Sequence, residues 1–192
     1  WLEMGPGQRG KEETMRKLTW IVMGLFILVN VIIILSQATG PFFDEGIYAT
    51  AGLRNFDGHG FGDGYLVWFA GSLLWPTIAG IGYTFAGLVG IRLFALFFIA
   101  SSYVLTVETT KLWFGPKAAL GTAIAMGVSG SVLSLAHLGV YDVPAVLGIA
   151  VAFWATTKFI LSQNRKWLPI LAFSYVFAFL SKYPSGLMIV PI

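Results

Sequence analysis

Residues 65–110 read YLVWFAGSLLWPTIAGIGYTFAGLVGIRLFALFFIASSYVLTVETT, with Arg92 and Glu108 as their only charges. About 20 apolar residues make one helical crossing of a bilayer. The stretch therefore holds either two crossings divided at Gly80-Ile81-Gly82, or one crossing preceded by a helix that stays at the membrane surface. Charge bias decides between them, because Lys and Arg concentrate on the cytoplasmic side. The basic clusters are Arg9, Lys11, Arg16 and Lys17 in the N-terminal tail, Lys111 with Lys117, and Lys158 with Arg165 and Lys166. A single crossing in 65–110 puts all three clusters on one face, whereas two crossings send Lys111 and Lys117 to the other. The sequence thus predicts an interfacial or re-entrant helix over 65–82 and a span over 91–110. The Gly, Trp and Tyr content of 64–84 suits the headgroup level.

Working outward, no Asp, Glu, Lys or Arg occurs in 18–43, 64–91, 93–107, 118–141, 143–157 or 167–181. Of the 192 residues, 11% are charged and 57% hydrophobic, against about a quarter charged in soluble domains, and the mean hydropathy is +0.79. Too few charges remain to build a water-soluble shell. Backbone groups in lipid must be satisfied within their own segment, so these stretches are helices. The predicted class is all-α: a polytopic transmembrane helix bundle with juxtamembrane helices on its outer face. Residues 1–17 form a cytoplasmic tail, and spans are expected at 18–35, 91–110, 116–135, 144–161 and 167–180. A sixth span is expected to begin at 187–192 and to continue past the end of the sequence, leaving the 18–192 transmembrane domain incomplete at its C-terminus. The first apolar stretch is too long for a signal peptide and reads as an uncleaved span. The net charge of +3 comes from residues flanking spans, an orientation signal rather than a nucleic-acid surface. There is no cysteine, which excludes disulfides and thiolate metal sites.

This topology places Asp44, Glu45, Arg54, Asp57, His59, Asp63, His137, Asp142 and Lys182 on the outer face. Asp142 is the only acid in 109–192. A carboxylate beside a span is a functional candidate, although with Pro144 it can equally open a helix. Asp44 and Glu45 can favour a helix dipole, or they can repel one another and raise one pKa toward general-base work. Lys182 and Arg92 stand against the positive-inside trend; a phosphate-bearing ligand accounts for them, as does snorkelling to headgroups. Asp57, His59 and Asp63 offer oxygen and nitrogen donors for a metal, or form a plain solvated turn in the glycine-rich stretch 55–64. Glu108 and Lys111, spaced i,i+3, form an expected surface pair.

Taken in order, these features resemble the GT-C membrane glycosyltransferases, of the dolichyl-phosphate-mannose protein mannosyltransferase and aminoarabinose transferase type. The resemblance is carried by Asp44-Glu45 after the first span, Arg92-Leu93 opening a span and Leu112-Trp113-Phe114-Gly115 closing it. It continues through His137-Leu138-Gly139-Val140-Tyr141-Asp142-Val143-Pro144-Ala145 and Ala178-Phe179-Leu180-Ser181-Lys182-Tyr183-Pro184-Ser185-Gly186. Gly62-Asp63-Gly64-Tyr65-Leu66 departs from the His or Lys before a Pro-Pro pair found in many relatives. The resemblance implies an enzyme that moves a sugar from a polyprenyl-phosphate carrier to an acceptor glycan, lipid or protein at the extracytoplasmic face. It implies Asp44 as general base with Glu45 in support, Asp142 organising the acceptor or a divalent cation, and Lys182 with Tyr183 binding the carrier phosphate. Arg92, His137 and Arg54 are further substrate-binding candidates.

The alternative is a non-catalytic membrane scaffold that keeps this fold without the chemistry. A transporter would carry charges within its spans around a midplane cavity, and the uncharged stretches argue against it.

Overall fold

The computed structural model describes residues 6–36 and 40–182. The described residues contain no strand and form seven helices: α1 (Pro6–Ser36), α2 (Phe43–Phe56), α3 (Asp63–Phe69), α4 (Leu74–Gly127), α5 (Gly130–His137), α6 (Asp142–Ser162) and α7 (Trp167–Ser181). Tyr183 and the start of the expected sixth span lie outside the described residues.

Helix α1 shows why these segments belong in lipid. Thr19, Met23, Phe26, Asn30 and Ile34 recur at helical spacing and are buried, whereas Ile21, Leu25, Leu28, Ile32 and Leu35 are exposed on the opposite side. A stripe of large aliphatic residues facing outward is costly in water and favourable in hydrocarbon. α1, α4 and α6 are each long and apolar enough to cross a membrane, and α7 is a shorter apolar helix. The protein is an integral membrane helix bundle. The polar tail differs from expectation, being helical from Pro6 and continuous with the first span.

Two breaks divide α4 into legs 74–85, 88–114 and 116–127. The first lies at Ala86 and Gly87, where Gly87 adopts φ 59°. The second is at Gly115, with φ 83°, immediately before Pro116. Proline disfavours helical conformation in the residue ahead of it and removes a ladder N–H, so the helix turns back there. Tyr103 donates to the carbonyl of Ala123 across this reversal, and the hydroxyls of Thr122 and Thr110 lie 3.4 Å apart. The sequence placed this elbow correctly. It placed the other one too early, because Gly80 and Gly82 are not breakers but points of close approach. A Cβ on Gly52 would lie 2.7 Å from the Cα of Gly80, and one on Gly90 would lie 2.0 Å from the Gly82 carbonyl oxygen.

The expected 65–82 helix is also divided, by a turn at Ala70 and Gly71 with φ 46° and 84°. Leg 74–85 is about 18 Å long at 1.5 Å per residue, too short for a hydrocarbon core of about 30 Å. Both of its ends stay near α2. Trp75 Nε1 donates to Gly139 O at 3.0 Å, and Arg92, just past the hairpin, bonds Glu45, which in turn accepts from Gly139 N. The third expected span is interrupted at Val128 and Ser129, between leg 116–127 and α5. The opposite end of the bundle gathers Glu12, Glu13, Arg16, Lys111 and Pro116 around one cleft. There Glu108 pairs with Lys111 at 3.2 Å, and Trp113 donates to Thr157 at 2.9 Å.

The glycine contacts set a stability prediction. Gly52→Ala drives its methyl against the Pro76 carbonyl oxygen, 2.2 Å from the ideal Cβ position, with backbone on both sides and nothing flexible to yield. Overpacking of this kind costs about 1–3 kcal/mol. Thermal unfolding in detergent should show a lower midpoint for Gly52→Ala than for Gly46→Ala, whose added methyl meets nothing within 4 Å.

Candidate active site

The N-terminus of α2 carries both carboxylates of the Asp44-Glu45 pair, and they face different surroundings. Glu45 is fully buried. Its Oε1 accepts from Arg92 Nε at 3.0 Å and from Gly139 N at 2.8 Å. Its Oε2 accepts from Arg92 Nη2 at 2.8 Å and from Phe42 N at 2.9 Å. The last bond reaches back to the residue before the helix, as the acidic member of a capping box does. Arg92, equally buried, also donates to Gly40 O at 2.8 Å. Burial pushes the Glu45 carboxyl up; the hydrogen bonds from Arg92, Gly139 and Phe42, with the Arg92 charge, reverse this and hold it below its ordinary value. With four donors on two oxygens, Glu45 joins the 40–42 segment, α2, α4 and the α5–α6 loop in one knot.

Asp44 points elsewhere. It lines a cavity of about 310 Å³ together with Tyr48, Trp68, Phe69, Ala70, Ser72 and Tyr141. Beyond Tyr141 lies the pair formed by Lys182 and Asp142, both partly exposed. The Lys182 ammonium sits 4.7 Å from the centre of the Tyr141 ring, and that ring meets Tyr48 edge-on at 5.7 Å. Burial pushes the Lys182 ammonium down, but the hydrogen bond and charge of Asp142 more than reverse this, so its pKa is raised. Burial and the charges of Asp44 and Asp142 raise the Tyr48 phenol far above its ordinary range. Both carboxylates therefore act on the same ring. Asp44, Asp142 and Lys182, distant along the chain, meet at one end of the bundle.

The sequence pattern that defines the dolichyl-phosphate-mannose-protein mannosyltransferase family matches residues 73–192. The chain belongs to this family. No curated protein matches the chain, and no solved structure does.

As a member of this mannosyltransferase family, the protein is a membrane glycosyltransferase of the GT-C type. The matched region contains Arg92, His137, Asp142 and Lys182, while Asp44, Glu45 and Arg54 precede it. His137 ends α5, and its Nδ1 lies 3.4 Å from Oδ1 of the buried Asn30. Arg54 is about 15 Å along α2 from Asp44 at 1.5 Å per residue. It lines a separate groove with Phe43, Ile47, Asp63, Tyr65 and Trp68, and Trp68 is common to the two cavities.

Asp57, His59 and Asp63 do not converge. Among the described residues no group of three or more His, Cys, Asp or Glu is placed to hold a metal. Asp142, the other residue suggested for a cation, is already paired with Lys182. Among the described residues the donors present do not form a site for a divalent ion. Tyr48 is the site residue that the sequence pattern did not single out. It resembles any aromatic on an amphipathic helix until packing shows it buried beside Asp44 in the wall of the cavity.

Proposed function

We propose that this mannosyltransferase-family protein transfers a sugar from a polyprenyl-phosphate carrier to a hydroxyl acceptor at the extracytoplasmic face, with inversion. The observation that carries the reading is the division of labour between the adjacent acids. Glu45 is saturated by four donors, whereas Asp44 faces a cavity beside the Asp142–Lys182 pair. In this reading the acceptor oxygen attacks the anomeric carbon and its proton passes to Asp44. The bond from that carbon to the carrier phosphate breaks, and the phosphate departs with the bonding electron pair. Lys182 stabilises the charge on the leaving phosphate, as a positioned cation does, and Asp142 orients Lys182 until the phosphate arrives. Tyr183 is proposed to share the phosphate contact. Arg92 is assigned to holding Glu45 rather than to touching substrate, and His137 to the α1–α5 packing through Asn30.

The charges support this sidedness: the basic clusters lie toward the end opposite the site, and Lys and Arg concentrate on the cytoplasmic side. Lipid-linked sugar profiling of cells with and without the gene tests the reading. A carrier-linked sugar should accumulate, or its transfer product disappear; an unchanged profile favours the non-catalytic scaffold. Lys182→Gln should raise the KM for the lipid-linked donor about 10- to 100-fold, the range for losing a charge-assisted bond. Steady-state kinetics in nanodiscs measure it, and an unchanged KM removes Lys182 from the phosphate site.

A further inference from the structure

The end of the bundle opposite Asp44 carries a cluster that sugar transfer leaves unused. Helix α6 begins at Asp142, beside the candidate site, and its 21 residues end at Ser162, about 30 Å away at 1.5 Å per residue. A turn from Gln163 to Lys166 returns the chain into α7. Two tryptophans bridge the hairpin near this turn: Trp154 of α6 meets Trp167 of α7 edge-on, with ring centres 5.1 Å apart. An ammonium flanks each ring. Lys158 Nζ sits 5.7 Å from the centre of Trp154, and Lys166 Nζ 5.3 Å from that of Trp167. Arg165 stands exposed in the turn.

These three cations lack an acid. Asp142 is the only carboxylate side chain after Glu108, and it lies at the far end of α6, paired with Lys182. The acids of α1 and α4 at the near end are engaged elsewhere. Glu13 pairs with Lys17 at 2.8 Å and Glu108 with Lys111 at 3.2 Å, while Glu12 lines the cleft beside Arg16 and Lys111. Among the described residues, Lys158, Arg165 and Lys166 enter no ion pair. A ring face attracts an ammonium, but it supplies no negative charge and no oxygen.

The surroundings specify the missing counter-charge. Tryptophan at the end of a span favours the headgroup level. Lys166, Ile170 and Phe173 share one stripe of α7, at i, i+4 and i+7 spacing, and both apolar members are exposed. The stripe therefore runs from a cation at the turn to apolar side chains deeper along the helix. A phospholipid has the same order, with phosphate above and acyl chain below. Basic pockets at the ends of membrane helices bind anionic headgroups in this way.

We infer that the α6–α7 turn is a binding site for an anionic phospholipid, its phosphate held by Lys158, Arg165 and Lys166 and its acyl chain laid along Ile170 and Phe173. The site is about 30 Å from the candidate active site and does not depend on sugar transfer.

The test uses the complete chain and two lipids of similar acyl composition, phosphatidylcholine and phosphatidylglycerol. Native mass spectrometry from mixed micelles gives the affinity for each lipid, and melting in nanodiscs with and without phosphatidylglycerol gives the linked stability. Wild type should prefer phosphatidylglycerol and melt higher in its presence. Lys158→Gln with Lys166→Gln should weaken phosphatidylglycerol binding about 20-fold, at about fivefold for each basic residue near an anionic surface, and lose the lipid-dependent rise in melting temperature. Lys158→Arg with Lys166→Arg should keep both. Lys111→Gln with Lys117→Gln removes the same charge at the same end and should also keep both. Brominated phosphatidylglycerol should quench the fluorescence of wild type more than that of Trp154→Phe with Trp167→Phe, which locates the lipid without removing a charge. No preference in wild type, a preference that survives Lys158→Gln with Lys166→Gln, or equal fractional quenching overturns the inference. An equal loss with Lys111→Gln and Lys117→Gln overturns it in favour of a diffuse surface charge. The same rise in melting temperature from inorganic phosphate alone overturns it in favour of a soluble anion.

Discussion

Arg92→Ala is expected to destabilise the protein by about 3–5 kcal/mol, the cost of removing one partner from a buried ion pair. The size follows from what is left behind. Glu45 would keep its charge in a fully buried position with only Gly139 N and Phe42 N to solvate it, and the Gly40 carbonyl would lose the donor from Arg92 Nη2. Glu45→Gln should also destabilise, by a different route. Each carboxylate oxygen accepts two hydrogen bonds, one from Arg92 and one from a backbone amide. A Gln amide offers one acceptor oxygen, so its NH₂ must face two donors whichever way it is turned. Pairing Glu45→Leu with Arg92→Met removes both charges, and the double variant should lose less than the sum of the single substitutions. It will not recover fully, because the Gly139 and Phe42 amides stay buried and unpaired, about 1–3 kcal/mol each. Denaturation of wild type, Arg92→Ala, Glu45→Gln, Glu45→Leu, Arg92→Met and the double variant in the same detergent measures all of these differences. A loss below about 1 kcal/mol for Arg92→Ala, the range of exposed pairs, would remove the knot from the explanation of the fold.

The same pair sets a pH dependence. Glu45 has its pKa lowered by folding, so its contribution is fully present above the unfolded value, about 4.3, and is lost as pH falls through the lower folded value. Wild type should therefore lose stability steeply in acid below the ordinary glutamate range, and Glu45→Gln should lack that portion of the slope.

These residues also show where the sequence was informative and where it was not. The spans follow from uncharged length, and the convergence of Asp44, Asp142 and Lys182 follows from counting crossings against the basic clusters. Both are one-dimensional signals; the described residues carry three helices long enough to cross and one shorter apolar helix, with the third expected span broken at Val128 and Ser129. Partnership across the chain is not one-dimensional. Adjacent Asp44 and Glu45 left open a helix-dipole role or a mutual repulsion that raises one pKa; Glu45 turns inward to an arginine 47 positions away, and its pKa is lowered. Gly80 and Gly82 read as a break because glycine weakens helices, yet their meaning depends on what lies opposite: Gly52 and Gly90, where backbone meets backbone. The real reversal lies at Ala86 and Gly87, with a positive φ at Gly87 that no local pattern marks. Tyr48 was hidden for a similar reason. Its place in the wall of the Asp44 cavity is visible only once its neighbours have been placed.

Asp44→Asn is expected to lower the rate of sugar transfer by about 10²- to 10⁴-fold, the contribution of a positioned general base, while leaving the fold intact. The second half distinguishes it from its neighbour. Asp44 makes no hydrogen bond or ion pair among the described residues, so an isosteric amide removes proton-accepting capacity and little else. Its melting temperature should match wild type, where Glu45→Gln should not. Steady-state kinetics sharpen the assignment. If Asp44 acts only as the proton leaves the acceptor, kcat and kcat/KM should fall together with KM nearly constant. If it mainly holds the acceptor, KM should rise with kcat preserved, and the base must be sought elsewhere. No described residue is placed as well to replace it: Glu45 is saturated, and Asp142 is engaged by Lys182. Transfer by Asp44→Asn at more than a tenth of the wild-type rate, in protein of unchanged stability, would therefore deny this cavity its base and leave the adjacent carboxylates with a structural role alone.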